Sequence, residues 1–161
     1  MQWLEQAKLE MRRQNWVIQL QSAEFRFDKT DYYTREMGSE LKRCFLCIEG
    51  LQSLECSVDW KLKTLEIEKL LSLDGKRRIN LDPGFLDFHR VVLLSRKEGP
   101  QKIYLRDGIW ADLVMLKKKG GFRELALTFA DLKDGCYNDF FMQVRAEYKA
   151  EIKLNKEHNQ S

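Results

Sequence analysis

Val91-Val92-Leu93-Leu94-Ser95, Lys102-Ile103-Tyr104-Leu105, the run Ile109 to Lys117 and the run Phe122 to Leu127 are the stretches that decide the fold. Between them stand Glu98-Gly99-Pro100, Asp107-Gly108 and Gly120-Gly121, and Asp82-Pro83-Gly84 comes before them. Short runs rich in β-branched and aromatic residues, separated by Gly, Pro and Asp turn signals, predict an antiparallel meander.

Working outward toward the N-terminus, Ser53 to Leu71 carries two periodicities. Val58, Trp60 and Leu62 alternate as in a strand, whereas Leu54, Val58, Leu62 and Leu65 recur as in a helix. The length of the segment favours a helix, and Gly75 is the expected stop. Leu41 to Ile48 is an apolar run that suits a buried strand. Trp16, Ile18 and Leu20 alternate in one parity and Phe25 and Phe27 in the other, which requires a break near Gln21-Ser22. Trp3, Leu4, Ala7 and Met11 repeat at helical spacing, so residues 3–14 read as an amphipathic helix that Asn15 ends. Toward the C-terminus, Phe140, Phe141, Val144 and Tyr148 mark a closing helix.

The fold class expected is therefore α+β, a mainly antiparallel sheet with two or three helices. At 161 residues, 43% hydrophobic and 33% charged, the composition is that of an ordinary globular domain. We expect a single domain over residues 1–155 and a flexible tail over 156–161. Twenty-eight Lys and Arg against 25 Asp and Glu leave +3, with the two signs mixed along the chain, a weak pull toward anionic partners. No apolar run approaches a membrane span, and Met1-Gln2-Trp3-Leu4-Glu5 lacks the regions of a signal peptide, so a cytoplasmic location without a membrane partner is expected. In that reducing compartment Cys44, Cys47, Cys56 and Cys136 read as small core residues rather than disulfides. Cys44 and Cys47 have the spacing of half a zinc knuckle, but the remaining ligand types are scattered, and no metal is expected.

Signature loops for phosphate or dinucleotide binding, a nucleophile elbow and a zinc helix are all missing from the sequence. What remains are polar clusters. Thr30-Asp31-Tyr32-Tyr33-Thr34-Arg35-Glu36 crowds a hydroxyl, two phenols, a guanidinium and carboxylates into one loop. Such a loop either binds or merely caps and packs. Asn80 and Asp82 project from one face if their segment is extended. Lys61, Thr64 and Glu68 stand at i, i+3 and i+7 on the helical reading, a polar stripe of the kind that usually faces solvent. Lys97 follows a strand and could reach an anion, and His89 has no nucleophile setting beside it.

These motifs, taken in order, resemble the bacterial and archaeal family known as domain of unknown function 4416. The pattern Phe-x-x-Thr-x-Tyr-Tyr-x-x-Glu-Met-Gly is met by Phe27, Thr30, Tyr32, Tyr33, Glu36, Met37 and Gly38. Lys61, Thr64 and Glu68 fit a second motif, with Leu65 where asparagine is expected. Asn80, Asp82, Pro83, Gly84 and Phe85 fit a third, Ser95 and Lys97 a fourth, and Gln101 to Leu105 a fifth that has histidine at its first position. The resemblance implies a ferredoxin-like core, strand, helix, strand, strand, helix, strand, extended by the meander. Members begin with one further apolar strand, which this sequence lacks before its first helix. The family brings no established activity or cofactor.

The leading expectation is a small-ligand domain for a nucleotide-like or phosphorylated metabolite, using Thr30, Tyr32, Tyr33, Glu36, Thr64, Asn80, Asp82 and Lys97. Lys97 would hold an anionic group, Asp82 and Glu36 would accept from hydroxyls or carry a cation, and Tyr33 would meet a ring. The alternatives are a metal-assisted hydrolase or transferase built on Asp82 and Glu36, and RNA binding through Lys76-Arg77-Arg78, Arg96-Lys97 and Lys117 to Lys119.

Overall fold

The computed structural model describes residues 2–27, 41–125 and 135–158. By backbone proximity the chain forms two compact units, one of Met1–Glu49 with Asp59–Asp82, the other of Gly50–Val58 with Pro83–Ser161.

The first unit opens with helix α1, Gln2–Arg13. It ends where expected: Asn15 takes a left-handed φ of 62°. The Asn15 amide then bonds the Arg12 carbonyl and the Trp16 amide the Met11 carbonyl, a Schellman stop. Strands β1 (Ile18–Gln21) and β2 (Phe25–Arg26) follow. They carry the parity break read from the sequence. Between them Ser22 exchanges bonds with Phe45, its amide donating to the Phe45 carbonyl and its hydroxyl accepting from the Phe45 amide. That same anchoring splits the apolar run beyond it. Where one buried strand was expected there are two short half-buried ones, β3 (Lys42–Arg43), antiparallel to β2, and β4 (Leu46–Ile48), antiparallel to β1.

The ambiguous segment is helical. Ser53 caps a single 3-10 turn, Leu54–Cys56, that leads into α2, Ser57–Leu70. The helix stops before Gly75, because Asp74 and Gly75, both at positive φ, make a tight turn that pairs Leu73 with Lys76. Ala7 and Met11 of α1, Ile67 of α2, Leu71 and Leu81 form the core of this unit, with Trp3, Trp16, Leu46 and Ile79 against it.

The second unit is built on a five-stranded antiparallel sheet of β5 (Gly84–Leu86), β6 (Arg90–Ser95), β7 (Lys102–Arg106), β8 (Ile109–Lys118) and β9 (Gly121–Glu124). The strands predicted from the turn signals are present, the last as far as Glu124, with Ala126 and Leu127 outside the described residues, but their order is not that of a plain meander. The order is β5-β6-β8-β7, with β9 also on β8. The reason lies in the length of β8, ten residues of which the stretch Trp110 to Leu116 pairs with β6 on one edge. On its other edge β7 takes the first half and β9 the second. The connection from β6 to β7 must therefore pass β8, which lies between them. Gly84 permits the tight approach of β5 to β6, since a Cβ there would sit 2.3 Å from the Val92 carbonyl oxygen.

Helix α3, Asn138–His158, packs on this sheet through the buried Phe141, whose ring meets Phe122 edge to face at 6.2 Å. Arg145 of α3 donates to the Phe88 carbonyl, and Tyr148 packs edge-on against the Phe88 ring. The chain is thus α+β with every described strand pair antiparallel. These pairings do not by themselves establish a ferredoxin-like core. Among the described residues no helix is long and apolar enough to cross a membrane.

Candidate functional site

The polar stripe of α2 does not face solvent. Lys61, Thr64 and Glu68 are exposed by only 4%, 2% and 2%. Their spacing places them along one side of the helix, and the segment Arg77 to Asp82 lies against that side, bonded to it through Lys61 and Glu68. Lys61 Nζ donates to the Leu81 carbonyl and to Asp82 Oδ1, both at 2.9 Å. Glu68 Oε1 accepts from the Leu81 amide at 2.6 Å, and its Oε2 accepts from Arg77 Nη1 at 3.2 Å. Asn80 closes the ring, accepting from Arg77 at 3.0 Å and donating to Asp82 Oδ2 at 2.6 Å. Thr64 stands between the two clamping residues but keeps to its own helix, donating to the Lys61 carbonyl.

Two cations, two carboxylates and one amide make this network electrically neutral. Each carboxylate oxygen, and the amide oxygen of Asn80, has a partner within it. Burial of ions is tolerable on those terms, because desolvation is offset only when partners and geometry are supplied together. Leu81 is the beneficiary: its side chain enters the core while both of its backbone polar groups are taken by the helix. Asp82 reaches furthest outward, its side chain 42% exposed against 29% for Arg77.

A second buried carboxylate sits in the other unit. Asp112, 1% exposed, accepts from Gln101 Nε2 at 2.8 Å and pairs with Lys102 Nζ at 3.2 Å. The same ammonium donates to Ser95 Oγ. Gln101 and Lys102 end the connection that passes β8 and Ser95 begins it, so Asp112 pins this crossing to the middle strand.

Among the sequence candidates, then, Asn80 and Asp82 are brought together, and Thr64 lies buried on the neighbouring helix without joining their ring. Lys97 belongs to the second unit, exposed on the turn after β6, where its amide bonds the Ser95 hydroxyl. Thr30, Tyr32, Tyr33 and Glu36 lie outside the described residues. Sequence reasoning passed over Asp112, and it read Arg77 as part of a basic triplet for RNA rather than as a partner of Glu68. The signal for Asp112 was present: it is the one acid in the run Ile109 to Leu116. Arg77 gave no such signal, because it stands in a basic triplet that reads as a surface.

Among the described residues no three of His, Cys, Asp and Glu gather closely enough to hold a metal ion. Cys44 is half-buried, and burial pushes its thiol up from the usual cysteine range, the direction of an inert side chain.

An antiparallel α+β chain with a buried, neutral polar ring on a helix face is a class shared by many activities. The particular assignment comes from family comparison: residues 1–148 match the model of the domain of unknown function DUF4416, and the chain belongs to that family. It has no match among curated proteins or among solved structures.

Proposed function

We propose that the chain is a small-ligand-binding domain in which Asp82 contacts hydroxyl or ammonium donors of its ligand, nucleotides and phosphorylated metabolites being the classes to test. The observation that carries the reading is the contrast within one side chain. The Asp82 carboxylate is bonded by Lys61 and Asn80 yet 42% exposed. A carboxylate offers about four lone-pair sites, so roughly two remain for an outside donor. The ring behind it fixes the orientation of the group before any ligand arrives, which lowers the ordering cost of binding.

Lys97 is the second unit's own candidate for an anionic group, and the cytoplasm, where four thiols are usual, is the compartment this reading implies. The test is a thermal-shift panel of nucleotides and sugar phosphates, followed by calorimetric titration of each hit. Asp82→Asn keeps the shape and weakens binding at least about tenfold, the loss of one charged hydrogen bond; because it also strips the carboxylate from the buried Lys61, affinity is measured well below the variant's own melting temperature. A hit whose affinity is indifferent to Asp82→Asn contradicts the proposal, as does a panel without hits.

A further inference from the structure

One corner of the second unit's sheet has two unlike faces. Across the three strands β6, β8 and β9, Arg90 pairs with Leu116 and Leu116 with Arg123, while two residues along Lys118 pairs with Gly121. Directly opposed residues share a face and neighbours along a strand alternate, so Arg90, Leu116, Lys118 and Arg123 look out from the same side. The opposite side carries Val91, Met115 and Phe122, all buried, and Phe122 meets Phe141 of α3 there.

On the side away from the helix, Lys118 and Arg123 are exposed, the Arg90 side chain is 51% exposed, and Lys119 extends the row onto the turn. Leu116 lies half-buried in their midst. Of the acids of this corner, Asp87 is taken up by Arg90 in a 2.9 Å ion pair, which leaves Lys118, Lys119 and Arg123 as the cations of the row. Asp87 is also bonded to the backbone of its own turn, and Glu124 pairs with Met115 on the helix-covered side. Lys118, Lys119 and Arg123 thus form a compact cationic array, with Arg90 held by Asp87 at its edge, on a chain whose total is only +3.

We propose that this face binds a nucleic-acid backbone, through its phosphates and without sequence preference. Adjacent strands lie about 4.8 Å apart and alternate residues about 6.8 Å apart along a strand. The cations therefore form a flat array broad enough for successive phosphates of one strand, with Leu116 beneath a sugar. None of Leu116, Lys118, Lys119 and Arg123 carries an aromatic ring, so the attraction that these residues supply is electrostatic.

The experiment is fluorescence polarisation of a labelled oligouridine of about 20 nucleotides against the full chain, between about 50 and 200 mM salt. Three phosphate contacts give a slope of log affinity against log salt near about −2, and Lys118→Glu with Arg123→Glu reduces both slope and affinity, the latter at least about tenfold. The charge-matched pair Lys69→Glu and Lys76→Glu, on exposed positions of the first unit, leaves binding within about twofold once measured at the higher salt. Lys118→Gln with Arg123→Gln gives the same ranking should the charge reversal fail to fold. Absence of binding, a flat salt response, equal loss in the charge-matched pair, or binding to anionic vesicles without binding to the oligonucleotide each overturns the proposal.

Discussion

Lys61 and Glu68, two helical turns apart on α2, hold the two backbone polar groups of a single residue, Leu81: the lysine donates to its carbonyl and the glutamate accepts from its amide. A strand neighbour would satisfy the same groups in a sheet. Here helix side chains do it, so the segment Arg77 to Asp82 enters the core of its unit without strand pairing. The family motif residues Lys61, Glu68, Asn80 and Asp82 are accounted for by this one arrangement.

Removing the acid should unlatch it. Glu68→Ala leaves the buried Leu81 amide without its acceptor and Arg77 without its carboxylate, and an expected loss of about 3 kcal/mol follows. Lys61→Met retains the apolar stem and leaves Asp82 able to rehydrate, so a smaller loss of about 1–2 kcal/mol is expected. Urea titrations of the two variants check both the size and the order.

Asp112 should matter more than its position in the middle of an apolar strand suggests. Asp112→Ala strips the charge partner from Lys102 and the acceptor from Gln101, with an expected cost of about 3–5 kcal/mol. Asp112→Asn keeps one acceptor and should cost clearly less. Thermal melts of the pair provide the comparison.

The turn from β8 into β9 depends on Gly121, at φ +148°, where a Cβ would come within 2.3 Å of Asn138 Oδ1. That oxygen accepts the Phe122 amide and so ties β9 to the start of α3. Gly121→Ala should destabilise by more than about 1 kcal/mol, and Gly120→Ala, open on all sides at φ +85°, by about 1 kcal/mol. Chemical denaturation of both variants tests the difference.

Cys44 should be the slow cysteine. Its burial raises the thiol, so near pH 8.5, where an unfolded cysteine is about half ionised, the folded chain holds a larger share of Cys44 protonated. The sign for stability follows: nothing is lost below that pH, and stability declines as pH rises past it, because the unfolded state releases the proton first. Timed alkylation read by peptide mass spectrometry should show Cys56 and Cys136, both exposed, modified well before Cys44.

How far the sequence reveals this molecule depends on the range of the interactions involved. The first helix and its Asn15 stop, the parity break before Phe25 and the strands of the large sheet are legible because period and turn chemistry act over a few residues. The order of those strands is not, because only pairing shows that β8 is long enough to take two partners on one edge. The stripe Lys61, Thr64, Glu68 is visible as a pattern, yet charged residues at helical spacing look alike whether they face water or a buried backbone. What decides is Arg77 to Asp82 folding back onto them. Asn80 and Asp82 can be paired from their alternation alone, whereas Asp112 shows only as one acid in an apolar run, and its partners Gln101 and Lys102 come to it through the strand order.

Amide hydrogen exchange at Leu81 tests the clamp most directly. With its N–H bonded to a buried glutamate, the Leu81 amide is expected to exchange at least about 100-fold more slowly than an open amide, and Glu68→Ala should remove that protection while Leu94 in β6 keeps its own. Free exchange at Leu81 in the unaltered chain, or protection that survives Glu68→Ala, would contradict the account.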